Sequence, residues 1–468
     1  MQTKLFDFIN SMDEYEEDQV KEYFSDTNLA KNLKVYKVQL FDLLMKSLTS
    51  YHSKRNINSR IRIGLEEIEI LIDKQLYNSA LVRLKKIKEL CLQHEAYSKL
   101  FQILEFENQF KVHYSINPLP PNDQLFAELE DAVTRTETAY RLQKILIELN
   151  SRKNAKGHRL LDEQEKQQYQ RQLQELQDNY QLESMSLKEK SFWYQSVSCI
   201  YDLIDEEEQS YSYKLEALSL FENEPLKINS HSRLYFSALH NYLSCCNAME
   251  KYPELTEGIQ KIKALAKRFP YLHRNMTFIY YLETRYYYRQ SKFRSLPGPL
   301  ENDILKHIKQ YDLEGEHISV SLFLHYTLIY LILGNAKRVQ FYLRRLQNNT
   351  GKTPPVFSQT HGIIELISHY ETGDYFIINN LLLSYKRKLK RELEYTPFFR
   401  RALEFFNQLG RVPKEEHAQL AQELLGELPE YSEDGVCRLL SGLHLENWLL
   451  AVNNNQGFTD WMADKCVE

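Results

Sequence analysis

The sequence predicts an all-α protein in which antiparallel helical hairpins stack on one another as an α-solenoid. Its 468 residues include only 14 Gly and 13 Pro, a composition that favours long helices over many short strands. A helix beginning near Tyr375 carries apolar residues at Tyr375, Ile378, Leu382 and Tyr385. Their increments of 3, 4 and 3 keep all four on one helix face. Comparable quartets recur about every 40 residues, which is typical of stacked hairpins.

Residues 1–62 are predicted to form an N-terminal helical cap whose two halves carry opposite charge. Residues 1–25 hold seven acidic residues against two lysines. A helix from Leu29 to Tyr51 follows, and residues 26–62 carry the basic side chains Lys31, Lys34, Lys37, Lys46, Lys54, Arg55, Arg60 and Arg62. These cations either face the acidic first helices or present a helix-turn-helix surface to DNA. The acidic start also leads us to expect no secretory signal.

Residues 63–117 are predicted to form a first hairpin, and residues 122–186 a longer one. The first hairpin repeats the 3, 4, 3 spacing at Tyr77, Ala80, Leu84 and Ile87. Prolines at 118, 120 and 121 interrupt the helical pattern between the two regions. The longer hairpin, with helices over 124–150 and 159–182, is rich in Gln, Glu, Arg and Leu. It is interpreted either as an arm for dimerisation or as a lengthened repeat.

Residues 187–410 are predicted to form the repeat array, and residues 411–468 a C-terminal cap with Trp448 and Trp461. The first members of successive quartets, at 210, 252, 293, 336 and 375, are 42, 41, 43 and 39 residues apart. The quartet at Phe293 is interrupted by Pro297, Gly298 and Pro299 and is kept on spacing alone. Beyond residue 410 the spacing no longer fits, as expected of a cap that closes the core.

Four fragments, KQLYNSALVRLKKIKEL, EKYPELTEGIQKIKAL, GNAKRVQFYLRRL and TGDYFIINNLLLSYK, resemble the second-helix half of tetratricopeptide repeats. The resemblance covers about half the chain and implies a right-handed solenoid. The observed step is longer than the 34 residues of that family, which implies longer helices. The N-terminal segments LFDFINS and LFDLLMKSLTSYHS are similar to an uncharacterised group of bacterial helical-repeat proteins, which supplies no activity.

The tetratricopeptide resemblance implies that the first helix of each hairpin lines a concave groove that binds a peptide. Counting back from the quartets by that family's spacing places these residues on the groove: Gln195, Ser198, Asp202, His240, Asn241, Ser244, Asn247, Tyr281, Arg285, Tyr288, Arg289, Ser321 and His325. Asn amides suit a peptide main chain, and Arg285 with Arg289, one turn apart, suits a carboxylate. The alternative is that these residues form solvated helix faces whose register is misplaced by one residue.

Composition argues against membrane and extracellular classes. The net charge of −5 implies neither a nucleic-acid nor an anionic-membrane partner for the whole chain. The longest apolar run, Ser319 to Leu333, is shorter than a membrane span and is predicted to be a buried helix. Six cysteines lack the paired spacings of disulfide frameworks or metal sites, so we expect reduced, mostly buried thiols in the cytoplasm.

A basic run from Ser384 to Arg401 contains seven cations interleaved with Tyr395, Phe398 and Phe399. This pattern fits RNA or another polyanion. It also fits ordinary helical charge pairs such as Lys388 with Glu392. Both interpretations stay open.

The sequence contains none of the catalytic or phosphate-binding motifs that we sought, and His361 and His369 lack a third metal ligand. We therefore expect no enzyme activity, metal or cofactor. The predicted function is a cytoplasmic, non-catalytic scaffold that binds a protein or peptide. The alternative is a peptide- or ligand-sensing transcription regulator that contacts DNA through residues 26–62.

Overall fold

The computed structural model describes residues 2–12, 16–25, 27–53, 57–114, 120–156, 161–296, 298–349, 355–389 and 395–463, and nearly all of them are helical. These ranges contain no strand, which confirms the all-α prediction. The handedness and period of a solenoid stay predictions. In chain order the helices are α1 (Gln2–Asn10), α2 (Glu17–Tyr23), α3 (Asn28–Lys31), α4 (Leu33–Ser53), α5 (Ile57–Asp73), α6 (Tyr77–Gln93), α7 (Tyr97–Tyr114), α8 (Asn122–Lys156), α9 (Glu163–Asn179), α10 (Leu187–Leu203), α11 (Glu207–Glu222), α12 (Ile228–Ala248), α13 (Tyr252–Arg268), α14 (Met276–Arg289), α15 (Gly298–Tyr311), α16 (His317–Ile332), α17 (Ala336–Asn348), α18 (Pro355–Glu371), α19 (Tyr375–Leu389), α20 (Pro397–Leu409), α21 (His417–Glu427), α22 (Gly435–Ser441), α23 (Leu445–Asn453) and α24 (Phe458–Ala463).

Most hairpins turn through one residue in the left-handed backbone region. Five of these residues are Asp205, Glu250, Ser291, Gly334 and Gly373, which follow one another at intervals of 45, 41, 43 and 39 positions. The amide after each one donates to a carbonyl of the preceding helix, as from Asn335 N to Tyr330 O at 2.8 Å. This bond satisfies a carbonyl that the end of the helix would leave without a partner.

Two of the predicted quartets do not begin at the start of a helix. After Asp205 the next helix begins at Glu207, so Ser210 lies one turn inside α11 rather than at its start. After Ser291 the next helix, α15, begins only at Gly298. Pro299 explains the late start, because proline lacks an N–H and is tolerated only in the first turn of a helix. Phe293 is instead buried in the connection.

The chain divides into two compact units, of which unit 1 comprises Met1–Gln143, Leu182–Lys190 and Phe221–His231. Its described clusters of buried apolar side chains include one on α1 to α4 and a larger one on α5 to α8. Helices α5 and α6 cross closely, because a Cβ on Gly64 would lie 2.3 Å from Cδ1 of Ile87. The Glu95 carboxylate accepts from Leu187 N and from Lys227 Nζ, both at 2.7 Å. These bonds tie the two short segments to the rest of unit 1.

Unit 2 comprises Lys144–Gln181, Ser191–Leu220 and Ser232–Glu468. A large cluster of buried apolar side chains runs from Tyr288 on α14 to Met462 on α24. Further buried apolar side chains on α10 to α13, such as Leu239 and Ile259, lie outside it. Trp448 lies within it, 5.6 Å from the ring of Phe406, and donates from Nε1 to Glu371 at 2.9 Å. The predicted C-terminal cap therefore shares one core with the hairpins before it.

Several predictions of local structure are confirmed in the described ranges. Helix α18 ends at Glu371, Gly373 turns the chain, and α19 begins at Tyr375 with Ile378 and Leu382 buried. Helix α16 is buried, as expected for the long apolar run. The free thiols of Cys91, Cys199, Cys245, Cys246 and Cys437 are buried, as predicted.

Other predictions fall on residues outside the described ranges. These residues are Lys54, Arg55, Pro118, Pro297, Lys390, Arg391, Glu392 and Cys466. The predicted domain boundaries stay predictions. Among the described helices, none combines the length and apolar character needed to cross a membrane.

Candidate peptide-binding site

The thirteen predicted groove residues all belong to unit 2 and lie on four helices, namely α10, α12, α14 and α16. Each of these is the first helix of a hairpin that turns at Asp205, Glu250, Ser291 or Gly334. Contacts between side chains join each helix of this set to the next. We call the set the polar row.

Helices α10 and α12 are joined by one buried amide. Gln195 Oε1 accepts from Asn241 Nδ2 at 3.1 Å and from Ser237 Oγ at 3.0 Å. Its Nε2 donates to Ser191 Oγ at 3.0 Å, and the side chain is 3% exposed. Ser198 is also buried and donates to the carbonyl of Gln195. The two side chains therefore support the row and do not reach its surface.

Asp202 is engaged within the chain. Its carboxylate accepts from Lys214 Nζ at 2.7 and 2.9 Å, and it also contacts Lys153 and Ser210. Burial opposes the charged form, but Lys214 and Lys153 hold the pKa of Asp202 below its usual value. Because three partners saturate this carboxylate, it is not a free contact for a ligand.

On α12 a short relay of hydrogen bonds leads to the aromatic part of the row. Burial lowers the pKa of His240, so its ring is neutral and its Nδ1 donates to Asn241 Oδ1 at 3.2 Å. The ring centroid lies 3.9 Å from that of Phe278 on α14. Ser244 is partly exposed, whereas Asn247 is buried and its Oδ1 has no hydrogen-bond partner among the described residues. Through its bonds to His240 and Gln195, Asn241 links α12 to α10.

Aromatic rings continue the row from α14 to α16. Tyr281 lies 6.1 Å from Phe278 and 5.5 Å edge-on from His325. His325 lies 5.1 Å from Tyr288, and its Nδ1 donates to the carbonyl of Ser321 at 2.8 Å. Burial lowers the pKa of His325 to about 4, so the ring is uncharged at neutral pH.

The two predicted arginines differ in how far they are engaged. Arg289 Nη1 donates to the carbonyl of Asn247 at 2.8 Å and lies 3.4 Å from Glu250. Arg285 lies over the Tyr281 ring at 5.6 Å, and its only described hydrogen bond is a long one of 3.5 Å to the Tyr281 hydroxyl. No carboxylate of the described residues lies within ion-pair distance of Arg285. This guanidinium is therefore available to an acidic group.

Two aromatic contacts of this site were missed from the sequence. Phe278 precedes Tyr281 by three positions, so helical spacing would have placed it on the same face. His444 contacts Tyr288 at 4.9 Å and Phe293 at 5.9 Å from a turn with φ of 62°. No local pattern connects residues so distant in the chain.

In the two basic segments that the sequence offers as nucleic-acid or polyanion sites, some cations are paired with other side chains of the chain. Lys37 on α4 lies 3.3 Å from Glu17 on α2, as expected if these cations face the acidic helices. In the second basic run, Arg401 pairs with Glu427 and Lys386 donates to Asn407 at 2.9 Å. Contact of either segment with nucleic acid stays a prediction.

The described residues contain no group of three or more His, Cys, Asp or Glu arranged to hold a metal ion. His361 is buried, and burial lowers its pKa to about 4. Comparisons of the chain with protein-family models, with curated proteins and with solved structures found no match in any of the three. A function for the polar row therefore has to be inferred from its geometry alone.

Proposed function

We propose that this protein is a non-catalytic scaffold that binds an extended segment of another protein along the polar row of α12, α14 and α16. One observation carries the proposal. Polar and aromatic side chains from three successive first helices touch one another in an unbroken series from Asn241 through Tyr281 to the buried His325, and those before His325 are partly exposed. Such a series offers a peptide several contacts in line.

The chemistry of the row suits a peptide. Tyr and His rings supply large contact areas with few rotatable bonds, so they lose little entropy on binding. Ser244 and Ser321 lie partly exposed beside them and offer hydroxyl groups to a peptide backbone. Arg285 adds a cation without an acidic partner in the described structure, which favours a segment with a carboxylate.

The geometry assigns different roles to the predicted residues. Gln195, Ser198 and Asp202 are satisfied by neighbours in the chain and position α10 and α12. The proposed contact residues are Asn241, Ser244, Tyr281, Arg285 and Ser321. A bound segment would approach the partly exposed atoms of these five side chains.

Photo-crosslinking tests this proposal directly. Benzoylphenylalanine is placed at Ser244, in the row, or at Asn302, which is exposed on α15, and the protein is irradiated in extract of its native host. We expect discrete adducts from position 244 that are lost in the Asn241→Ala, Arg285→Ala double variant. A matched double variant, Arg233→Ala with Asn302→Ala, should keep them. Equal adducts from both positions, or no effect of the row variant, would contradict the site.

A further inference from the structure

Helix α17 presents a basic face outside the polar row. Its outward side chains include Lys337, Arg338, Arg344 and Arg345, and its sequence AKRVQFYLRRLQN contains no acidic residue. Elsewhere the chain often pairs exposed cations within one helix, as in Arg141 with Glu137 or Lys261 with Glu257. Helix α17 lacks such internal pairs, so its cations depend on other elements for partners.

Two of these cations have acidic partners in the chain and two do not. Arg338 binds the buried carboxylate of Glu301 at 2.6 Å, and Arg345 binds Glu314. Lys337 and Arg344 are exposed, and within the described ranges neither makes an ion pair. They are seven residues apart, which places them about 10 Å apart along the helix axis.

A surface depression of about 660 Å³ lies beside these cations. Its lining includes Lys337, Gln340, Phe341, Arg344 and Asn348. The Arg338 guanidinium lies 5.0 Å from the centre of the Phe341 ring, and that of Arg345 lies 4.8 Å from it. Carboxylates also hold both guanidiniums in place, so two fixed positive charges lie close to the Phe341 ring.

We infer that this face of α17 is a second docking surface, which receives an acidic helix carrying carboxylates seven residues apart. Such a helix lying along α17 has the same rise per residue, so its two carboxylates would match Lys337 and Arg344. Single-stranded nucleic acid fits less well, because it needs aromatic faces on which bases can stack. The two guanidiniums next to Phe341 already occupy that environment.

The test uses the full chain and a fluorescein-labelled 21-residue helical peptide with Glu at every seventh position. A matched peptide has Gln at those positions, and a third probe is an oligonucleotide of deoxythymidine. We expect the Glu peptide to bind in low salt and its Kd to rise about five- to tenfold in the Lys337→Gln, Arg344→Gln variant. The Arg387→Gln, Arg411→Gln variant removes the same charge from exposed sites and should change Kd less than twofold.

Charge reversal provides the second arm. The Lys337→Glu, Arg344→Glu variant should reject the Glu peptide and bind a peptide with Lys at the same positions. Both residues are exposed, and an unchanged melting temperature would show that the variant folds. Equal binding of the Glu and Gln peptides, equal weakening by the two Gln variants, or tighter binding of the oligonucleotide would overturn the inference.

Discussion

Units 1 and 2 are both helical, but they bury apolar surface in different ways. The largest described cluster of buried side chains lies in unit 2 and extends from Tyr288 to Met462. The described clusters of unit 1, on α1 to α4 and on α5 to α8, are smaller, and its helix α4 leaves Val38 57% and Phe41 62% exposed. Because stability grows with the apolar area removed from water, unit 2 should be the more stable body. The residues of the polar row therefore belong to the unit that is expected to be more stable.

The two units also differ in the charges of their ion triads. In unit 1, Lys88 lies 2.8 Å from Glu107 and 2.6 Å from Glu128, so one cation holds two carboxylates. In unit 2, Asp202 lies between Lys214 and Lys153, so one carboxylate holds two cations. The arrangement is reversed, and the response of each unit to pH should differ accordingly.

The largest expected effects come from emptying each core. Trp448→Ala should cost unit 2 about 3 to 5 kcal/mol, because it removes ring contacts with Phe406 and the bond to Glu371. Phe110→Ala removes a fully buried ring from unit 1 at comparable cost. Hydrogen exchange should show unit 1 losing protection outright, whereas unit 2 stays folded with reduced protection. Trp448→Phe serves as the milder control, and the reverse ranking of the two units would refute the comparison.

The second largest expected effect is a loss of stability in unit 2 at acid pH. Burial lowers the pKa of both His325 and His361 to about 4, against an ordinary value near 6.5. The unfolded chain then binds more protons between pH 6.5 and 4, so stability present above pH 6.5 is lost as the pH falls. Each histidine should cost unit 2 about 3 kcal/mol across that window. Urea unfolding from pH 7 to 4.5 measures this loss.

The His325→Gln and His361→Gln variants provide the check on acid stability. Each should flatten the dependence of the unfolding free energy on pH, whatever its effect at pH 8, where the histidines are uncharged. An unchanged slope in both variants would remove these residues as the cause. The slope is the useful readout, because a packing defect shifts the whole curve without changing its shape.

The triads should give a smaller and asymmetric effect. Lys88→Met leaves the buried Glu107 without its cation and should cost unit 1 about 2 kcal/mol at pH 7. Burial raises the pKa of Glu107, so acidification should neutralise it and recover part of the loss. Asp202→Asn should cost unit 2 a similar amount that pH 5 does not recover, because two ammonium groups remain. Urea midpoints at pH 7 and 5 distinguish these outcomes from equal recovery in both units.

The smallest effects concern the turns. Gly373 has a φ of 75°, and beyond its chain neighbours no atom of the described residues lies within 4 Å of the position that a Cβ would occupy. Gly373→Ala should therefore cost unit 2 about 1 kcal/mol through the backbone alone. Gln75→Gly should stabilise unit 1 by a few tenths up to about 1 kcal/mol, since Gln75 has a φ of 59°. Thermal unfolding measures both changes, and equal signs would show that turn conformation does not control them.

Helical spacing was sufficient to predict local structure but not the contacts between helices. The starts of α13, α17 and α19 at Tyr252, Ala336 and Tyr375 follow from apolar periodicity and nearby turn residues. The counting that placed Gln195 and Asn241 on one face could not show that they bond to each other. That bond depends on how two helices cross, which is set by packing rather than by sequence spacing.

Glu95 has a consequence for the order in which the chain folds. Its carboxylate joins partners that lie 92 and 132 residues later in the sequence. During synthesis the N-terminal helices emerge first, yet unit 1 cannot complete this junction until Lys227 has left the ribosome. Closing such long loops is entropically costly, so unit 1 should mature well after its N-terminal helices have emerged. Until then the exposed side chains of α4 lie on an unfinished body that chaperones would be expected to bind.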